Sequence, residues 1–154
     1  MHTSPPIPLQ VQIRALLEAQ PFAVLCTQSK GQPYGSVVSF TFGPDLQSLA
    51  FATPINTTKY RQLCDCSRVA MVIDSKTSDA DSVMQERAIT ITGEALELPT
   101  GPERSKWVRL LEDRHPQIRD FFDQNALFRV DVTEYVYVAQ FENVHHWNPQ
   151  GEQR

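Results

Sequence analysis

A mainly β fold with flanking α-helices is predicted for this chain of 154 residues: six antiparallel strands rolled into a closed or half-closed barrel. Three observations predict it. Strand patterns follow one another at meander spacing from Phe22 to Thr53, the apolar parity of Glu86 to Leu98 flips across Gly93, and a long two-faced strand runs from Phe128 to Val138. A parity flip across a glycine is what a β-bulge produces, and bulges bend strands at barrel corners. The alternative architecture is an open α+β sheet with helices on one face.

Leu9, Ile13, Leu16 and Leu17 fall on one face of a first amphipathic helix. Phe22, Val24 and Cys26 then alternate along a strand, and Ser29 to Gln32 is a hairpin turn with Gly31 in the left-handed position. Tyr34, Ser36, Val38, Phe40 and Phe42 line one side of the second strand. After the turn at Gly43 to Asp45, Leu49, Phe51 and Thr53 line the third. Asn56 to Cys66 reads as a short helix capped by Asn56 or Thr57, with Tyr60, Leu63 and Cys64 facing inward. Val69, Met71 and Ile73 mark the fourth strand, and the polar run Ser75 to Ser82 a long, mobile loop.

In the fifth strand the apolar positions are odd before Gly93 (Ile89, Ile91) and even after it (Leu96, Leu98). Gly101 and Pro102 open a helix bearing Trp107, Leu110 and Leu111, which His115-Pro116 ends. Ile118, Phe121 and Phe122 suggest a further short turn. On the last strand Phe128, Val130, Val132, Val136 and Val138 share one face. Arg129, Asp131, Thr133, Tyr135 and Tyr137 share the other. Such a strand could cover a ligand, but more often it packs a core on one side and a subunit interface on the other, and the tyrosine-bearing strand is a candidate for that interface.

The length suits a single domain, 1–154, able to bury a core without disulfides. The net charge of −4 argues against nucleic acid and anionic membranes as partners. The longest apolar runs are Phe22 to Cys26 and Tyr135 to Ala139, far below the roughly 20 residues of a membrane span. The amino-terminal residues carry neither a basic nor an apolar leader pattern. Cys26, Cys64 and Cys66 read as reduced thiols, so a cytoplasmic location is expected. Cys64-Asp65-Cys66 lacks a second pair at zinc spacing and reads as a helix end, with no metal expected.

Chemistry concentrates between Phe51 and Leu63. A strand ends at Thr53 and a helix begins near Thr57, and a helix amino terminus offers free N–H groups and partial positive charge to an anion. Thr53, Thr57, Thr58 and Lys59 could satisfy a phosphate monoester there. On spacing alone the plainer reading, a Thr57 cap with Lys59 and Arg61 in solvent, is the commoner one. His145-His146-Trp147 could supply an axial haem ligand or a tryptophan beside a flavin of the partner subunit. As adjacent side chains on an extended chain they read more simply as a loop after the last strand.

The order of these segments resembles the pyridoxamine 5′-phosphate oxidase-like, FMN-binding split-barrel family. In that family an R-x-V-L-L-K stretch runs along the flavin, and Gly35-Ser36-Val37-Val38-Ser39-Phe40 matches it. A strand ending F-Y-T-N and leading to S-R-K, which holds the FMN phosphate, matches Phe51-Ala52-Thr53-Pro54 and Thr57-Thr58-Lys59. An E-R-Q-V-x-V-x-G segment matches Glu86 to Gly93. The resemblance covers Pro21 to Leu98 well and the rest loosely.

It implies a six-stranded antiparallel split β-barrel, a homodimer with FMN in two clefts at the interface, and a flavin-dependent oxidoreductase acting on a small molecule. Lys59, Thr53, Thr57 and Thr58 would hold the phosphate, Ser36, Val37 and Val38 would flank the ring, and Arg87 and Trp147 are further cofactor-binding candidates. No catalytic residue is assigned, because the flavin itself carries the electrons. Gly35 and Phe40 replace the arginine and lysine of the first stretch, Thr58 the arginine of S-R-K, and Ala88 a glutamine. Arg61 or Arg87 could compensate. The R-x-H and S-R-P-x-x-S stretches of true pyridoxamine-phosphate oxidases are missing, so vitamin B6 oxidation is not expected. Deazaflavin or haem in place of FMN, the latter on His145 or His146, and a cofactor-free binding dimer are the alternatives.

Overall fold

Six strands close on themselves in the computed structural model, which describes residues 6–76, 85–140 and 143–151. The elements in chain order are α1 (Leu9–Ala19), β1 (Phe22–Ser29), β2 (Gln32–Phe42), β3 (Ser48–Thr53), α2 (Thr58–Asp65), β4 (Arg68–Asp74), β5 (Arg87–Glu97), α3 (Pro102–Arg114), α4 (Arg119–Gln124), β6 (Ala126–Ala139) and β7 (Asn143–Trp147). The sheet runs β3-β2-β1-β4-β5-β6-β7, and an antiparallel β3–β6 pairing closes the first six into a barrel. β7 lies outside the closure, paired to the carboxy-terminal half of β6. No helix among the described residues is long and apolar enough to cross a membrane.

The barrel interior is apolar. Leu25, Phe40, Leu49, Phe51, Met71, Ile89 and Ile91 are fully enclosed, and Ile13, Leu16 and Leu17 of α1 join the same core. A second, smaller core forms outside the barrel. Ala50 and Ala52 face away from the interior of β3 and are covered by Trp107, Val108 and Leu111 of α3 with Phe122 of α4. Small outward residues let these helices approach the strand closely, so β3 is buried on both faces.

The β1–β2 turn places Lys30 and Gly31 at φ +53° and +80°, as a two-residue turn matching the strand twist requires. On β1 the alternation has the opposite sense to an inward Phe22–Val24–Cys26 face. Ala23, Leu25 and Thr27 enter the core, while Phe22 and Val24 are exposed. On α2, Leu63 and Gln62 are buried, Tyr60 is half-buried, and Cys64 is exposed rather than inward. Gln62 takes the interior place because Thr27 Oγ1 donates to its Oε1 at 2.7 Å.

The bulge exists, but on the partner strand. Thr92 pairs with Glu134 and Gly93 with Val132, so Thr133 of β6 is the extra residue. β5 keeps its odd parity through Ala95. β6 flips instead: Phe128, Val130 and Val132 point inward before Thr133, and Tyr135 and Tyr137 after it. The two tyrosines are therefore core residues, not an interface, and Val136 and Val138 face outward. Gly93 is required by the close approach at this point, since a Cβ there would lie 2.3 Å from the carbonyl oxygen of Asp131.

His145-His146-Trp147 forms β7 rather than a loop, a seventh strand outside the six of the barrel. Trp147 pairs with Tyr135 and lays its ring 5.4 Å from that tyrosine's. Most of the polar Ser75–Ser82 run lies outside the described residues.

Candidate functional site

The barrel parts between β2 and β3. Their pairing ends at Phe40 opposite Phe51, beyond which β3 continues to Thr53 on β6 alone. β2 continues on β1 alone, from Ser39 back to Gln32. One edge of the segment Ser36 to Ser39 thus has no strand partner, and the β3–α2 connection, Pro54 to Asn56, leaves from the same place.

Local chemistry fixes that connection. Thr53 is fully buried, with its Oγ1 3.2 Å from Thr57 Oγ1. Thr57 Oγ1 donates to the Pro54 carbonyl at 2.9 Å and accepts the Tyr60 amide at 3.2 Å, which makes Thr57 the cap of α2. The one Thr57 hydroxyl proton is used by Pro54, so the two threonines build the turn and leave other groups to meet a ligand.

Those groups lie one residue on. Thr58 is exposed and accepts from Arg61 Nη2 at 3.1 Å, so its hydroxyl proton and the guanidinium remain available together. The amides of Thr58 and Lys59 belong to the open first turn of α2. The Lys59 ammonium is half-buried, and desolvation holds it below the ordinary lysine range. Among the described residues it has neither a carboxylate nor a hydrogen-bond partner. A partly desolvated cation without a counter-charge beside free helix amides favours an anion.

The Ser36–Val38 segment splits by alternation. Val38 is a core residue, Val37 is 66% exposed outside, and Ser36 Oγ is buried with no partner among the described residues. What the segment offers a planar ligand is its free backbone edge, the Val37 side chain and that orphan hydroxyl.

The remaining candidates lie elsewhere. Arg87 opens β5, with its amide on Ser75 Oγ at 2.9 Å and no partner for its guanidinium among the described residues. Glu97, at the other end of β5, is the one that reaches α2, accepting the Tyr60 hydroxyl at 2.7 Å. Trp147 is half-buried against Tyr135 within its own subunit. Phe40, at the family's lysine position, is enclosed in the core. On β7, His145 is exposed and His146 Nδ1 contacts Glu134. Arg87, Trp147 and the histidines are thus not gathered at the amino end of α2.

Two site features were not read from the sequence. One is Arg61 over Thr58, for which the i, i+3 spacing on a helix was the available signal. The other is the Tyr60–Glu97 bond, which with Cys64 pushes the Tyr60 hydroxyl up to about 12. It depends on β5 register and had no local signal.

Comparison with known proteins agrees with this architecture. Among solved structures, a haem-binding protein from Mycobacterium smegmatis superposes with a TM-score of 0.77 at 16% identity, covering 89% of this chain and 56% of that one. HutZ, the haem storage protein of Vibrio cholerae, gives 0.70 at 17%, over 82% and 91%. A FAD-binding protein from Mesorhizobium loti gives 0.68 at 14%, over 82% and 91%. At such identities the likeness establishes the shared fold alone. No curated protein matches the sequence. The family model described as pyridoxamine 5′-phosphate oxidase matches residues 9–146, so the chain belongs to the pyridoxamine 5′-phosphate oxidase-like split-barrel family.

Proposed function

We propose that this protein is an FMN-binding flavoprotein, working as a homodimer in the cytoplasm and serving as an oxidoreductase on a small molecule. The observation that carries the reading is Lys59: a half-buried ammonium with no counter-charge among the described residues, set beside the open first turn of α2. The residues present fit the group. Thr58, Lys59 and Arg61 would take its phosphate, and Thr53 and Thr57 would hold the turn that presents them. The free edge of β2 and the unpartnered Ser36 Oγ would meet the polar rim of its ring. When bound, the flavin supplies the electron or hydride transfer. Around it, Val37 and Ile55, each 66% exposed, give apolar surface that would exclude water. The structural relatives described as FAD-binding and haem-binding keep the cofactor class open between flavin and haem.

The test is an absorbance spectrum of the purified protein, followed by a fluorescence titration with FMN. Bands near 375 and 450 nm, as for bound flavins generally, and saturable quenching are expected. A single charge-assisted contact is worth about 1.5–3 kcal/mol, so Lys59→Ala should weaken binding by roughly 10- to 100-fold, and Lys59→Arg by less. Equal affinity in wild type and Lys59→Ala would remove the assignment.

A haem reading has its own observation. His145 is exposed on β7 and its side chain makes no hydrogen bond among the described residues. It expects a sharp Soret band with added haemin that disappears in His145→Ala.

A further inference from the structure

We infer that a cleft beside the β1–β2 hairpin binds a free α-amino acid, with Arg68 taking its carboxylate and Glu94 its ammonium. The inference goes beyond the proposed function and does not rest on it, since none of the groups assigned to the flavin lines this cleft.

The cleft holds about 790 Å³, within the range of roughly 300–1,000 Å³ common among small-molecule sites. Strand register makes the hollow. Cys26 of β1, Ala70 of β4 and Thr92 of β5 lie side by side in its lining, and their side chains are short. Gly31 and Pro33 of the β1–β2 hairpin form a wall.

The charges around it are one of each sign. Arg68 and Glu94 are register partners on β4 and β5, both exposed and both lining the cleft. Residues so placed have Cβ atoms about 5 Å apart and could form a cross-strand ion pair. They do not: neither side chain makes a salt bridge or hydrogen bond among the described residues. An α-amino acid carries its carboxylate and its ammonium on one carbon, so a single small molecule answers both side chains. A dianion would meet Glu94, and a dication Arg68, as a like charge.

The bulge adds a third feature. Thr133, the extra residue of β6, stands outside the β5–β6 ladder, is exposed and lines the same cleft. Bulges re-aim side chains in this way beside binding sites. Its hydroxyl and that of Thr92 offer polar contacts, while Cys26, Ala70 and Pro33 offer apolar surface. The fitting ligand is thus an amino acid with an apolar side chain.

The experiment titrates the full chain with L-leucine, followed by calorimetry and by amide chemical shifts. Two capped probes run beside it: L-leucinamide, which keeps only the ammonium, and N-acetyl-L-leucine, which keeps only the carboxylate. L-leucine should saturate and shift the amides of Thr92, Gly93 and Thr133. Each capped probe should bind about tenfold or more weakly. Arg68→Gln should abolish the preference over L-leucinamide, and Glu94→Gln the preference over N-acetyl-L-leucine, with FMN titrations of both variants matching wild type. No saturable L-leucine signal, or capped probes that bind as well as L-leucine, would overturn the inference. So would an L-leucine affinity unchanged in both variants, or one lost in Lys59→Ala, which would put the amino acid at α2. A protein that binds L-leucine as described but takes no FMN would uphold this inference and remove the proposed function.

Discussion

His115 Nε2 donates to the carbonyl oxygen of Phe40 across 2.7 Å, tying the end of α3 to the carboxy-terminal part of β2. The carbonyl can only accept, so Nε2 carries a proton. His115 is 6% exposed, and desolvation, with the neighbouring Arg114 charge, holds it below the ordinary histidine range. The unfolded chain therefore takes up its proton at higher pH than the folded chain does. Stability should be full above pH of about 6.5 and decline as pH falls toward the folded value. Thermal melts at pH 7.5 and 5.0 should show this loss, and His115→Gln should reduce it. An unaltered pH dependence in that variant would place the responsible proton elsewhere.

Gly93→Ala forces a Cβ into the Asp131 carbonyl at 2.3 Å, against backbone that the bulge holds in place. Overpacking of this kind costs about 1–3 kcal/mol, which for a chain of this size lowers Tm by roughly 3–10 °C. Gly31→Ala meets no atom within 4 Å and strains only a positive φ, so it should cost less. Calorimetry of the two variants ranks them.

Thr57→Ala removes the α2 cap and leaves the buried Thr53 hydroxyl with only a long contact, 3.4 Å, to Pro54 O. A lost cap costs about 1 kcal/mol. Thr57→Ser keeps the oxygen and should behave as wild type in urea titration. Because Thr57 presents Thr58 and Lys59, FMN affinity should fall in the alanine variant alone.

The two core tyrosines should respond oppositely to loss of their hydroxyls. Tyr135 donates to the Leu46 carbonyl at 2.7 Å, whereas the buried Tyr137 hydroxyl has no partner among the described residues. Tyr135→Phe strands an acceptor and should destabilise by about 1–2 kcal/mol. Tyr137→Phe relieves an unsatisfied donor and should be neutral or stabilising. Equal losses in the two would show that Tyr137 has found a partner.

What could be read from the sequence follows from how local each signal is. α1 was legible because Ile13, Leu16 and Leu17 have one burial partner, the barrel end, and a single helical stripe reports it. The Thr57 cap was legible for the same reason: its partners are within four residues. β6 misled because valine and tyrosine both suit either face, so alternation alone cannot locate a bulge; Thr133 is the extra residue only with respect to β5 register. Phe22 and Val24 read as inward because apolar residues usually are, whereas the strand turns Ala23, Leu25 and Thr27 to the core. β7 reads as a loop in the sequence because the residues it pairs with, Tyr135 to Ala139, lie in another strand.

The barrel is closed by β3 and β6, whose Ser48–Asp131 hydroxyl–carboxylate bond spans 83 positions of chain. Loop-closure entropy is lost before that pairing returns any stability, so closure is a slow event for a domain of this size. β1, β2, β3 and β4 can assemble from neighbouring segments while the newly made chain is still short of β6. Until β6 arrives, the free edge of β3 and the inner face of the half-barrel stand open to other chains, and this interval is when the protein is most prone to aggregate.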